Sequence, residues 1–65
     1  MKGTEFKVVE TSTVTDESLT NILNTFTRAG WVYDGISYVP NEASKRPRMA
    51  FVIFTRVVDL PDDGG

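Results

Sequence analysis

The sequence contains no cysteine and no histidine. Without them the chain can form no disulfide, no thiolate or imidazole metal site, and no catalytic group built on cysteine or on a histidine base. Nine carboxylates remain, but they are scattered over strand ends, a helix start and a tail, and no spacing brings two of them into one pocket. They are Glu5, Glu10, Asp16, Glu17, Asp34, Glu42, Asp59, Asp62 and Asp63. We therefore predict no catalytic residues, no cofactor and no metal, and expect that the protein is not an enzyme.

An excess of positive charge is also lacking. Seven Lys and Arg residues against nine Asp and Glu residues give a net charge of −2, which disfavours extensive contact with nucleic acid or an anionic membrane. No apolar run approaches the length of a signal peptide core or a membrane span. We expect a soluble cytoplasmic protein with no membrane partner, and the absence of cysteine is compatible with a reducing compartment.

The most informative stretch is residues 49–58, MAFVIFTRVV. In a strand, alternate residues face opposite sides, and here both alternating sets are apolar, Met49/Phe51/Ile53 and Ala50/Val52/Phe54. A chain of 65 residues with one helix can cover only one side. The sequence therefore predicts that the second side meets another copy, most simply in a homodimer, and such a small domain often needs oligomerisation for stability.

Apolar periodicity predicts one helix and three strands. Residues Leu19, Ile22, Leu23 and Phe26 form one stripe on a helix over 16–29, with Thr15 as N-cap and Gly30 as the left-handed residue after it. In strand two, Gly35 indicates a bulge. The predicted segments are strand one (5–10), the helix (16–29), strand two (31–39), a polar loop (41–48), strand three (49–58) and a disordered tail (59–65).

The order β-α-β-β predicts an α+β fold, a single domain over residues 1–58 with a three-stranded sheet and one helix on one face. We expect strands two and three to form an antiparallel hairpin and strand one to return beside strand three, which gives the sheet order 1-3-2. The alternative order 1-2-3 would leave an apolar strand on an exposed edge, which proteins usually avoid.

Short motifs along the chain resemble a small bacterial family, the domain of unknown function 4177. They are the strand Glu5-Phe6-Lys7-Val8-Val9, the helical pair Leu23-Asn24, the exit Gly30-Trp31 and the final Phe54-Thr55-Arg56. The resemblance spans roughly residues 4–56 and departs from the family at Thr4, where an aromatic is frequent, and at Val32, where an acid is common. It implies the architecture above and no activity, because the family has none established.

Three features are candidates for binding. The first is a basic cluster around a proline, formed by Lys45, Arg46 and Arg48. These side chains could contact phosphates while Tyr38 or Tyr33 stacks on a base. The simpler explanation is that they are solvated loop charges. Aromatic and apolar strand residues are candidates for an oligomer or partner surface. That second set is Trp31, Tyr33, Ala50, Val52 and Phe54. The terminal Gly64-Gly65 pair is typical of sulfur carriers and ubiquitin-like modifiers, although those proteins need a hairpin before the helix.

These features support three hypotheses of different classes. The first is a small homo-oligomeric module that acts by binding a protein partner, without catalysis. The second is nucleic-acid or phosphate-ligand binding through the loop with Lys45, Arg46 and Arg48. The third is a carrier that is modified at its C-terminal glycines.

Overall fold

The described part of the chain folds into one three-stranded sheet and one helix. A computed structural model describes residues 1–43 and 47–61. The elements are β1 (Lys2–Thr11), α1 (Asp16–Arg28), β2 (Val32–Val39) and β3 (Met49–Asp59). The strand order is β1-β3-β2, with both neighbouring pairs antiparallel. The predicted α+β fold, element order and strand order are therefore confirmed, and the strand that is apolar on both sides lies in the centre.

The helix is held at both ends by the residues that the sequence indicates. The Thr15 hydroxyl accepts a hydrogen bond from the Ser18 backbone N–H at 3.2 Å, which satisfies a donor that the first turn leaves unpaired. At the other end, the Gly30 and Trp31 N–H groups donate to the carbonyls of Thr27 and Phe26 at 3.1 and 3.0 Å. This Schellman arrangement needs a left-handed residue, and Gly30 has φ of 99°.

The helix covers one side of the sheet and defines the core. Ala50, Val52 and Phe54 are 0–1% exposed, and the Phe54 ring packs against Phe26 of α1 with centroids 5.3 Å apart. Because successive side chains of a strand project to opposite sides, every second residue of β3 from Ala50 to Val58 belongs to this helix side. Met49 and every second residue after it face the other way.

The strands differ from the predictions mainly at their ends. β1 begins at Lys2, because its first residues pair with the long end of β3, Lys2 opposite Asp59 and Gly3 opposite Val58. The predicted tail started at Asp59, but that residue belongs to β3 and Leu60 still donates its N–H to the Met1 carbonyl at 2.8 Å. Residues 62–65 of the predicted tail lie outside the described residues.

The irregularity in β2 lies where the sequence places it. The register between β2 and β3 shifts between Tyr33 and Gly35, so one extra residue, Asp34, is accommodated on β2 as a bulge. Beyond the bulge, Ile36 lies opposite Val52 and therefore belongs to the helix side. The bulge thus re-aims the second half of β2 so that an apolar side chain faces the core.

Candidate interaction surface

The side of the sheet away from the helix is apolar and has no covering element in the described part of the chain. The register places Phe6 opposite Thr55 and Val8 opposite Ile53, with Phe51, Met49 and Val57 on the same side of β3. On β2, Val32 lies opposite Thr55 and Val39 opposite Met49. We call this surface the open face. Its apolar residues are Phe6, Val8, Val32, Val39, Met49, Phe51, Ile53 and Val57, with Thr4, Gly35, Ser37 and Thr55 between them and the charged residues Lys2, Glu10 and Asp59 toward its ends.

The open face exposes large side chains. Phe6, Val8, Val32 and Val57 are 59–71% exposed, whereas their neighbours Phe51 and Ile53 are half-buried by adjacent strands. Single exposed apolar residues are ordinary on protein surfaces, but a contiguous group of this size marks an interaction site. The position of these residues on all three strands makes the open face a candidate surface for a partner.

Four of the five residues that the sequence analysis assigned to a partner surface lie elsewhere. Ala50, Val52 and Phe54 are buried beneath the helix of their own chain, so they are core residues and cannot touch a partner. Tyr33 lies opposite Phe54 and therefore on the helix side, where it is partly exposed. The assignment is corrected to the other alternating set of β3, because the helix covers the Ala50 side.

Trp31, the fifth residue of that set, is half-buried in a cationic cluster at the end of the helix. The Arg56 guanidinium lies 4.3 Å from the centroid of the Trp31 ring, and the Lys7 ammonium lies 5.6 Å from it. Arg56 also pairs with Glu5, with an Nη2–Oε1 distance of 2.6 Å. Cation–π contacts of this kind stabilise packing. Trp31 is thus occupied by its own chain and offers little free ring surface to a partner.

The structure does not bring the basic cluster together as a described site. Lys45 and Arg46 lie outside the described residues, and so do Gly64 and Gly65. Arg48 is exposed, and its backbone N–H donates to the Val39 carbonyl at 3.0 Å, which closes the end of the β2–β3 pair. Tyr38 lies opposite Ala50 and is partly exposed on the helix side.

A shallow polar hollow of about 390 Å³ lies beside the first turn of α1. It is lined by Thr13, Thr15, Glu17, Ser18, Asn21 and Ile22. The hydroxyl groups of Thr15 and Ser18 have partners within the chain, since Thr15 caps the helix and the Thr11 hydroxyl lies 3.5 Å from that of Ser18. Within residues 1–43 and 47–61, no buried side-chain oxygen or nitrogen lacks a hydrogen bond, so this hollow has the chemistry of a helix cap.

Neither a metal site nor a membrane span is found among the residues that the structure describes. No group of three or more histidine, cysteine, aspartate or glutamate residues there could hold a metal ion. No helix in the same residues is long and apolar enough to cross a bilayer.

Sequence reasoning missed most of the open face. It placed Phe6 and Val8 on one side of strand one, but it could not tell which side of the sheet that was. The pairing of β1 with β3 resolves the question. It places Phe6 opposite Thr55 and Val8 opposite Ile53, so these four residues share one side of the sheet. That register becomes known only when the strands are paired.

Comparison with known proteins supplies no relative: no family model, no curated protein and no solved structure matches the chain. The likeness to the domain of unknown function 4177 therefore stays a prediction. A functional inference has to rest on the surface chemistry of this chain.

Proposed function

We propose that the chain is a small, non-catalytic binding module that self-associates through the open face and acts by protein–protein contact. The observation that carries this proposal is the group of exposed apolar side chains on one side of the sheet, Phe6, Val8, Val32 and Val57, whereas Ala50, Val52 and Phe54 on the other side of the central strand are buried. The lack of cysteine and histidine supports a role in binding rather than catalysis.

The exposed apolar side chains of the open face support an interface. Phe6, Val8, Val32 and Val57 are 59–71% exposed, because no described element covers this side of the sheet. Packing against another surface would remove apolar area from water.

The free energy gained by burying the exposed side chains of the open face is similar in size to the free-energy cost of bringing two chains together. Burying a large apolar side chain contributes about 1.5–3 kcal/mol, and Phe6, Val8, Val32 and Val57 each keep more than half of their area exposed. In a symmetric pair these four positions occur twice and contribute on the order of 10 kcal/mol, which is similar to the estimated cost of about 4–15 kcal/mol for association. Phe51 and Ile53 add further burial, so a reversible complex is the expected result.

A second copy is a fitting occupant because the open face is self-complementary. It is apolar along its centre on all three strands, so two copies related by a two-fold axis present the same chemistry to each other. Two sheets pack face to face about 10 Å apart with interdigitating side chains. No described residue favours the nucleic-acid or the carrier hypothesis, since both depend chiefly on residues outside the described ranges.

The substitution Val32→Asp tests this proposal. Val32 is exposed on the edge strand β2, so an aspartate there is expected to leave the fold intact and to place an unpaired charge in the interface, which is strongly unfavourable. Light scattering after size exclusion should give a lower mean mass than the unmodified chain at equal concentration. Thr20→Asp, on the exposed surface of α1, is the matched control and should keep the original mass. Equal masses for both variants and the unmodified chain would refute the proposal.

A further inference from the structure

We propose a second contact between copies: two β1 strands pair antiparallel along their free edges and join two sheets into one of six strands. This inference rests on the proposed self-association and names a surface that the open face does not include. It uses main-chain groups at the edge of the sheet, whereas the open face uses apolar side chains.

The first support is the state of the two sheet edges. β1 is ten residues long and keeps an unbroken register with β3 from Lys2 to Thr11. β2, at the opposite edge, is shorter, carries the bulge at Tyr33–Gly35 and is followed by Pro40. Bulges and prolines are devices that prevent edge pairing, and only the edge formed by β2 has them. Among the described residues, the backbone of the helix lies nearest to β2, at the edge of the sheet opposite β1.

The second support is the direction of the main-chain groups. Leu60 donates its N–H to the carbonyl of Met1, which lies opposite it in the extended register. Because hydrogen-bonded and non-hydrogen-bonded pairs alternate along an antiparallel ladder, the odd-numbered residues of β1 turn their N–H and C=O groups toward β3. The even-numbered residues turn theirs to the free edge. These are Lys2, Thr4, Phe6, Val8 and Glu10.

The third support is charge complementarity of β1 with itself. When two copies of β1 pair antiparallel with Phe6 opposite Phe6, Glu5 lies opposite Lys7 of the second copy and Lys2 lies opposite Glu10. All four charged residues of the strand then face a residue of opposite sign, which stabilises cross-strand pairs. Moving the two-fold axis by one residue in either direction places Lys7 opposite Lys7 or Glu5 opposite Glu5. The charges therefore select one register.

This register agrees with the main-chain geometry. It sets even-numbered residues opposite each other, and those are the residues whose donors and acceptors point outward, so each pair can exchange both N–H···O bonds. Opposite residues project to the same side of a sheet, so both helices lie on one side and both open faces lie together on the other. The edge contact leaves the doubled open face available for a further copy or a protein partner.

Amide hydrogen exchange tests the edge contact directly. In the associated protein, the Thr4, Phe6 and Val8 amides are expected to be protected and to lose that protection on dilution, because their donors point away from β3. The odd-numbered Lys7 and Val9 amides serve as internal controls, since the β1–β3 ladder protects them at any concentration. If the protein associates while the even-numbered amides exchange rapidly, the edge contact is refuted and the open-face contact stands. If the folded chain stays monomeric, both are refuted.

Two variants at Thr4 test the main-chain hydrogen bonds of the edge contact. Thr4→Pro removes an outward N–H without breaking the ladder to β3, whereas Thr4→Val keeps that N–H. In the symmetric pair Thr4→Pro removes two hydrogen bonds, so it should weaken the edge contact by on the order of tenfold relative to Thr4→Val. Equal affinity for these two variants refutes the contact.

Charge reversal probes the same register through side chains. Glu10→Lys sets like charges opposite each other at both ends of the pair and should weaken association. Adding Lys2→Glu restores opposite signs and should recover the affinity, because the Lys2–Asp59 pair that it breaks within the chain is exposed and weak. If the double variant associates no better than Glu10→Lys alone, the register with Phe6 opposite Phe6 is refuted.

Discussion

The assignment of sides in β3 gives the sharpest stability prediction, the effect of Phe54→Ala. Phe54 is fully buried and its ring packs against Phe26. Truncation of a buried phenylalanine to alanine costs about 3–5 kcal/mol, and loss of the aromatic pair is included in that range. A domain of 65 residues has a total stability of about 3–10 kcal/mol. We therefore expect Phe54→Ala to remove most of the free energy of unfolding.

The neighbouring residue Ile53 is the matched comparison, because its side chain lies on the open face and is only half-buried in one chain. At low concentration Ile53→Ala should cost clearly less than the roughly 2–5 kcal/mol typical of a fully buried site. Its cost should grow with concentration, since association buries the rest of the side chain. The cost of Phe54→Ala should not depend on concentration in this way.

Urea unfolding followed by circular dichroism at several concentrations measures both effects. Phe54→Leu is included as a milder variant that should remain folded, with a cost of about 1–1.5 kcal/mol. A loss below about 1 kcal/mol for Phe54→Ala would refute the assignment of this residue to the core. A larger loss for Ile53→Ala than for Phe54→Ala in the dilute protein would show that the sides of β3 are reversed.

Three other substitutions give independent expectations. Thr15→Ala removes the N-cap of α1 and should destabilise the protein by about 1 kcal/mol in thermal unfolding; no change would contradict the cap. Gly3→Ala places a Cβ where the Leu60 side chain packs, so the Leu60 methyl signals in NMR spectra should shift while the global stability changes by less than about 1 kcal/mol; unshifted signals would contradict that packing. Phe6→Ala, at a site 64% exposed in one chain, should weaken self-association by about 2 kcal/mol per chain in sedimentation experiments; unchanged affinity would place Phe6 outside every contact.

Much of the fold could be predicted because its local signals agree with its topology. Thr15 and Gly30 have roles that depend on their own chemistry, as a cap and as a left-handed residue, and the bulge lies next to Gly35. The central position of β3 followed from its two apolar sides. The start of β1 could not be predicted, since Lys2 and Gly3 have little preference for a strand and the segment becomes one only by pairing with the end of β3.

The candidate surface was harder to predict than the fold. Two apolar sets alternate along β3, and a period of two cannot tell which set the helix covers. The Phe26–Phe54 contact and the cation–π cluster around Trp31 settle that choice, and both are contacts between residues far apart in sequence. The outward direction of the even-numbered β1 amides likewise depends on the pairing with β3, which no local pattern contains.

Sedimentation equilibrium of the unmodified chain across the micromolar range tests the central claim most directly. If a second copy covers the open face, the mean mass should exceed the 7.2 kDa of one chain and should rise with concentration. A mass that stays at that of one chain across the whole range, in a protein that circular dichroism reports as folded, would contradict the claim.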